Sequence, residues 1–70
     1  VQLGAFCHVA PNATLGGSVR VGQRVLVGAS AVVLPGIVIA DAVVVGAGAV
    51  VRAPLLSAGT YVGVPARKIG

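Results

Sequence analysis

His8 is the only histidine of the chain, Cys7 its only cysteine and Asp41 its only acidic side chain. These three set the limits of its acid–base chemistry. A neutral imidazole near pH 7 can take the proton from an attacking hydroxyl or amine. It can also donate a hydrogen bond to a carbonyl oxygen that gains negative charge during acyl transfer. One His, one Cys and one Asp are too few for a dedicated zinc site in a single chain, so no metal is expected. A lone cysteine excludes an internal disulfide and fits a reducing compartment, which points to the cytoplasm. Arg67 and Lys68 are the only adjacent cations, and such groups suit phosphate. The other cations, Arg20, Arg24 and Arg52, are dispersed. With a net charge of +4 spread this way and an aromatic content of 3%, the chain offers no stacking platform for bases, and no nucleic-acid partner is expected.

The elements that must hold these side chains follow from a period of six. Every sixth residue from Leu3 is aliphatic: Leu3, Val9, Leu15, Val21, Val27, Val33, Ile39, Val45 and Val51. The residue after each is mostly small, as at Gly4, Gly16, Gly22, Gly28 and Gly46. A second column, Cys7, Ala13, Val19, Val25, Ala31, Ile37, Val43, Ala49 and Leu55, is small or apolar throughout. A period of six is neither the 3.6 of a helix nor the alternation of an open strand. It fits a β-solenoid in which each hexad is one short strand plus a corner, and three hexads close one triangular coil. The chain then holds about three coils of ~18 residues over residues 1–56, with residues 57–70 leaving the repeat as a tail across the last coil. Tyr61 is expected to pack that tail down, and Cys7 to fill the core.

Residues one coil apart stack. His8, Leu26 and Val44 therefore share one outward face, and Pro11, Ala29 and Ala47 form a neighbouring outward column of small side chains. Asp41 falls on a different face from His8, so a His–Asp pair within one chain is not expected. The outward column is aliphatic from Leu26 onward (Val32, Val38, Val44, Val50, Leu56), more apolar surface than a lone solenoid should expose. A chain of 70 residues also buries little core by itself. Both features predict an oligomer. Mean hydropathy is +1.08, yet the uncharged stretch at residues 25–40 is shorter than the ~20 residues of a membrane span. It is also interrupted by Pro35-Gly36. No membrane span and no signal peptide are expected.

In this register the chain resembles the hexapeptide-repeat acyltransferases, on the segments Val33-Leu34-Pro35-Gly36, Ala47-Gly48-Ala49-Val50-Val51 and Gly63-Val64-Pro65-Ala66-Arg67-Lys68. Through Phe6-Cys7-His8-Val9 it is most similar to the amino-sugar and sialic-acid acetyltransferases among them. The resemblance implies an all-β, left-handed parallel β-helix assembled as a homotrimer. It also implies transfer of an acetyl group from acetyl-CoA to a sugar amine or hydroxyl in a cleft between subunits. His8 matches a histidine that contacts acetyl-CoA, Ala29 and Ala47 match positions along the cofactor, and Arg67 and Lys68 lie where CoA phosphates are reached. The family's general-base histidine would fall two residues before Val1, so the chain is expected to be the C-terminal part of a longer enzyme. The competing expectation is a non-catalytic scaffold or orphan fragment that keeps the fold. A γ-type carbonic anhydrase, which needs three zinc-binding histidines, and an ice-binding solenoid, which needs ladders of threonine, do not fit one histidine and two threonines, Thr14 and Thr60.

Overall fold

The computed structural model describes all of residues 1–70. It contains no helix. Nine short strands wind around three faces in turn. The first face carries β1 (Gln2–Leu3), β4 (Arg20–Val21) and β7 (Val38–Ile39). The second carries β2 (His8–Val9), β5 (Leu26–Val27) and β8 (Val43–Val45), and the third β3 (Thr14–Leu15), β6 (Val32–Val33) and β9 (Val50–Val51). Every pairing among these nine strands is parallel with a step of 18 residues, such as Gln2 with Arg20 and His8 with Leu26. The architecture is a left-handed parallel β-helix of hexapeptide repeats with about three coils.

Each corner needs one residue in the left-handed region. That residue recurs every six positions: Phe6, Asn12, Ser18, Arg24, Ser30, Gly36, Ala42 and Gly48, with φ between 55° and 78°. Only two of the eight are glycine. The others hold a conformation that costs an L-residue roughly 1–2 kcal/mol, and stacking of the coils enforces it. Glycine matters instead at the position after the inward aliphatic. A Cβ on Gly28 would sit 2.6 Å from the Ala47 amide nitrogen, and one on Gly16 would sit 2.5 Å from the Pro35 nitrogen. These corners touch backbone to backbone.

The prism interior is filled by the two inward columns. Val19, Val25, Val27, Ala31, Val33, Ile39, Val43, Val45, Ala49 and Val51 are all at most 1% exposed. No polar side chain is buried among them. Small branched residues fill the interior of the coils, and the one buried ring, Tyr61, sits at its C-terminal end.

The repeat register changes near the end. Leu55 is inward, but it lies opposite Ile39 rather than in the column of Ala49. The step from 39 to 55 is 16 residues instead of 18, so the last coil is two residues shorter. The same step puts β10 (Gly59–Val62) on β8 in parallel, Thr60 against Val44 and Tyr61 against Val45. Residues 59–62 thus form a fourth rung of the second face. Tyr61 is 7% exposed and closes the core, and its hydroxyl donates to the Ser57 carbonyl at 2.8 Å. A final strand, β11 (Arg67–Lys68), returns antiparallel along β10.

Candidate functional site

The second face holds most of what could do chemistry. Its strands run in the order β11-β10-β8-β5-β2. His8 lies on β2 at one edge, and Arg67 and Lys68 lie on β11 at the other. Four interstrand steps of about 4.8 Å separate these edges by roughly 19 Å along the solenoid axis.

His8 is outward and exposed. It heads a column that continues through Leu26 and Val44. Thr60 extends that column on the fourth rung. Sequence spacing misses Thr60, because the count of 18 fails once the last coil loses two residues. The signal for it is Leu55, an inward aliphatic arriving two positions early. The only acidic side chain is committed elsewhere: Asp41 Oδ1 accepts the Gln23 amide at 2.7 Å and ties one corner to the next. No carboxylate side chain therefore orients the His8 ring.

Ala29 and Ala47 follow β5 and β8, at the corner between the second and third faces. The corner is a ladder of backbone. The Ser30 amide donates to the Pro11 carbonyl at 3.1 Å, and the Gly48 amide donates to the Ala29 carbonyl at 2.8 Å. Both alanines are exposed, and their small side chains leave this backbone open to a ligand laid along the axis. Arg67 and Lys68 are exposed and make no ion pair within the chain. The structure thus gathers His8, Ala29, Ala47, Arg67 and Lys68 on one face and its flanking corner. It leaves Asp41 and Cys7 out. Cys7 is half-buried, with its thiol donating to the Gly22 carbonyl at 3.0 Å.

That face is not concave in a single chain. The one depression, about 250 Å³, lies at the end of the first face against Val1, Gln2, Ser18, Val19 and Arg20. Small-molecule sites are normally clefts that bury most of their ligand. A ligand on the second face would need a further surface to enclose it.

Residues 18–53 match the family model described as bacterial transferase hexapeptide (six repeats). The chain belongs to this family. No curated protein matches the chain. Among solved structures, it is similar to PerB from Caulobacter crescentus, crystallised with CoA and GDP-perosamine. The TM-score is 0.93 and the identity 44%, over 97% of this chain and 33% of that one. The acetyltransferase domain of PglB from Neisseria gonorrhoeae FA1090 gives a TM-score of 0.93 at 33% identity, over 96% of this chain and 33% of that one, and has also been solved with acetyl coenzyme A. A mutant of AntD, an N-acyltransferase from Bacillus cereus, was crystallised with dTDP-4-amino-4,6-dideoxyglucose and coenzyme A. It gives 0.91 at 26% identity, over 96% of this chain and 50% of that one. The hexapeptide-repeat chain therefore spans about a third of the length of PerB and of the PglB domain.

Proposed function

We propose that this chain forms the CoA-binding part of an acetyltransferase that moves an acetyl group from acetyl-CoA to the amine of a sugar. The observation that carries the reading is the layout of the second face. His8 stands at one edge, the small Ala29–Ala47 corner flanks the middle, and the cations Arg67 and Lys68 stand at the other edge. Acetyl-CoA has the matching polarity: a thioester at one end, a slender arm, and phosphates at the other. In this pose the arm lies along the backbone corner, Arg67 and Lys68 face the phosphates, and His8 donates to the thioester carbonyl. A donor there stabilises the oxyanion formed when the amine attacks.

Three further features belong to the proposal. The chain acts as the C-terminal part of a longer enzyme, a reading supported by its span of about a third of PerB and of the PglB domain. The general base comes from outside these residues, since no second histidine and no free carboxylate side chain stands beside His8. The working unit is a homotrimer in which a neighbouring subunit supplies the missing wall of the cleft. Exposed Leu26, Val38 and Val44 on the outer faces support lateral association.

Calorimetric titration of the 70-residue chain with acetyl-CoA tests the reading. Saturable binding at one ligand per subunit, weakened by exchanging Arg67 and Lys68 for glutamine, is the expected result. A well-folded oligomer that binds no acetyl-CoA would refute it.

A further inference from the structure

The outward column headed by His8 is hydrocarbon on its next two rungs and polar on the fourth. Leu26 and Val44 are 43% and 37% exposed and carry no group that can hydrogen-bond. Thr60 follows, half-buried, opposite Val44. A hydroxyl stands there only because the last coil is two residues short. A step of 18 from Val44 leads to Val62, which would leave the column apolar beyond His8. Val62 packs over Gly46 instead, where an added Cβ would come within 2.7 Å of its Cγ1.

Thr60 is held by both of its backbone groups. Its amide donates to the Gly70 carbonyl at 3.1 Å, and its carbonyl accepts the Ile69 amide at 2.8 Å. Branching at Cβ restricts its χ1 as well. The hydroxyl has no partner within the chain, whose side-chain hydrogen bonds are those of Cys7, Asp41, Ser57 and Tyr61. Thr60 thus offers a positioned donor and acceptor on the face that carries His8.

The rungs set its distance from the other polar groups. At about 4.8 Å per strand, Thr60 lies about 14 Å from His8 along the axis, and Arg67 about 19 Å. An extended chain covers about 1.2 Å per bond. In acetyl-CoA the carbonyl of the second amide of the arm is nine bonds from the thioester carbon, or about 11 Å, and the first phosphorus is fourteen bonds away, or about 17 Å. Each falls within one strand spacing of a residue that can bind it. The first amide, about 6 Å out, falls between Leu26 and Val44 and has only the backbone corner to meet it.

We propose that Thr60 is a binding residue for the cofactor arm, its hydroxyl donating to the carbonyl oxygen of the second amide. This role presupposes acetyl-CoA bound along the second face with its thioester at His8. Thr60 then recognises the pantetheine arm itself, whatever it is attached to, while Arg67 recognises the nucleotide.

Titration of the chain with acetyl-CoA and with acetyl-pantetheine, which keeps the arm and lacks the nucleotide, separates these roles. Thr60→Val has nearly the same shape and suits a place beside Val44. It should weaken both ligands by the same factor, about three- to tenfold, as expected for one lost hydrogen bond, with an unchanged melt. Thr60→Ser should restore most of the affinity, and Arg67→Gln should weaken acetyl-CoA alone. If the unmodified chain binds acetyl-CoA and Thr60→Val binds it equally well, Thr60 has no such role and the acetyl-CoA reading stands. A loss confined to acetyl-CoA would also overturn the proposal, since the hydroxyl would then act on the nucleotide. Absence of binding by the unmodified chain would remove both. On the unmodified chain, the Thr60 methyl resonance should shift during titration with acetyl-pantetheine; an unmoved resonance at saturation overturns the proposal even if Thr60→Val does not fold.

Discussion

Gly28 is the position where one added carbon should do most harm, and the structure sets the size of the effect. A Cβ there would lie 2.6 Å from the Ala47 nitrogen and 2.8 Å from both the Gly46 carbonyl carbon and the Val45 carbonyl oxygen. All three are backbone atoms, so no side-chain rotation relieves the contact. Comfortable separations begin near 3.5 Å, so the corner must open by most of an ångström. Overpacking of that kind costs about 1–3 kcal/mol. Opening also stretches the bond from the Gly28 amide to the Val45 carbonyl, 2.7 Å long, which adds about 1 kcal/mol. Gly28→Ala should therefore destabilise the chain by about 2–4 kcal/mol, lowering the melting temperature by roughly 10–25 °C for a domain of this size. Gly17→Ala is the matched control. Nothing lies within 4 Å of its added Cβ and its φ is not positive, so it should be neutral or stabilising by up to about 1 kcal/mol. Thermal melts by circular dichroism at one fixed protein concentration make the comparison, because an oligomer's melting temperature depends on concentration. If Gly28→Ala melted within about 2 °C of Gly17→Ala, well inside the shift one kcal/mol produces, the backbone-to-backbone account of the corners would be wrong.

Other substitutions probe separate parts of the molecule. Tyr61→Phe keeps the ring that closes the core and removes the hydroxyl that donates to the Ser57 carbonyl; a loss of about 0.5–1.5 kcal/mol is expected in chemical denaturation. Asp41→Ala leaves the Gln23 amide without its acceptor. It should cost about 1 kcal/mol in the same assay and leave acetyl-CoA affinity unchanged, since this corner lies off the proposed cofactor path. His8→Ala should weaken acetyl-CoA binding several-fold, the equivalent of one hydrogen bond of about 1 kcal/mol, with an unchanged melt; equal affinity in calorimetry would remove His8 from the site. Arg67→Gln should weaken binding at low salt and lose most of its effect at about 1 M salt, where the screening length falls to ~3 Å. A salt-independent effect would mean that Arg67 acts by packing and not by charge.

Much of the fold was legible in the residues themselves. An aliphatic at every sixth position from Leu3 to Val51 fixes which side chains point inward, since a one-residue slip would expose the whole column. The small second column marks the corners, and the near absence of aromatics marks a narrow core. Handedness did not follow from the period, and family resemblance supplied it. The placement of His8, Leu26 and Val44 in one column, and of Ala29 beside Ala47, follows from counting by 18. Counting fails after Val51. Only the tertiary structure shows that the last coil drops two residues, bringing Leu55 to Ile39 and Thr60 to Val44. The reason is that strand pairing and core closure choose the register there, and from the shortened position Tyr61 lies opposite Val45 and is buried. The same holds for Arg67 and Lys68. Adjacent cations suit phosphate but do not say which face they occupy, and it is the antiparallel return of β11 onto β10 that sets them on the sheet that carries His8. The left-handed corners are the converse case. Their period of six is invisible in the sequence, because Phe6, Arg24 and Ala42 hold a conformation that local preference disfavours and that the stacked coils impose.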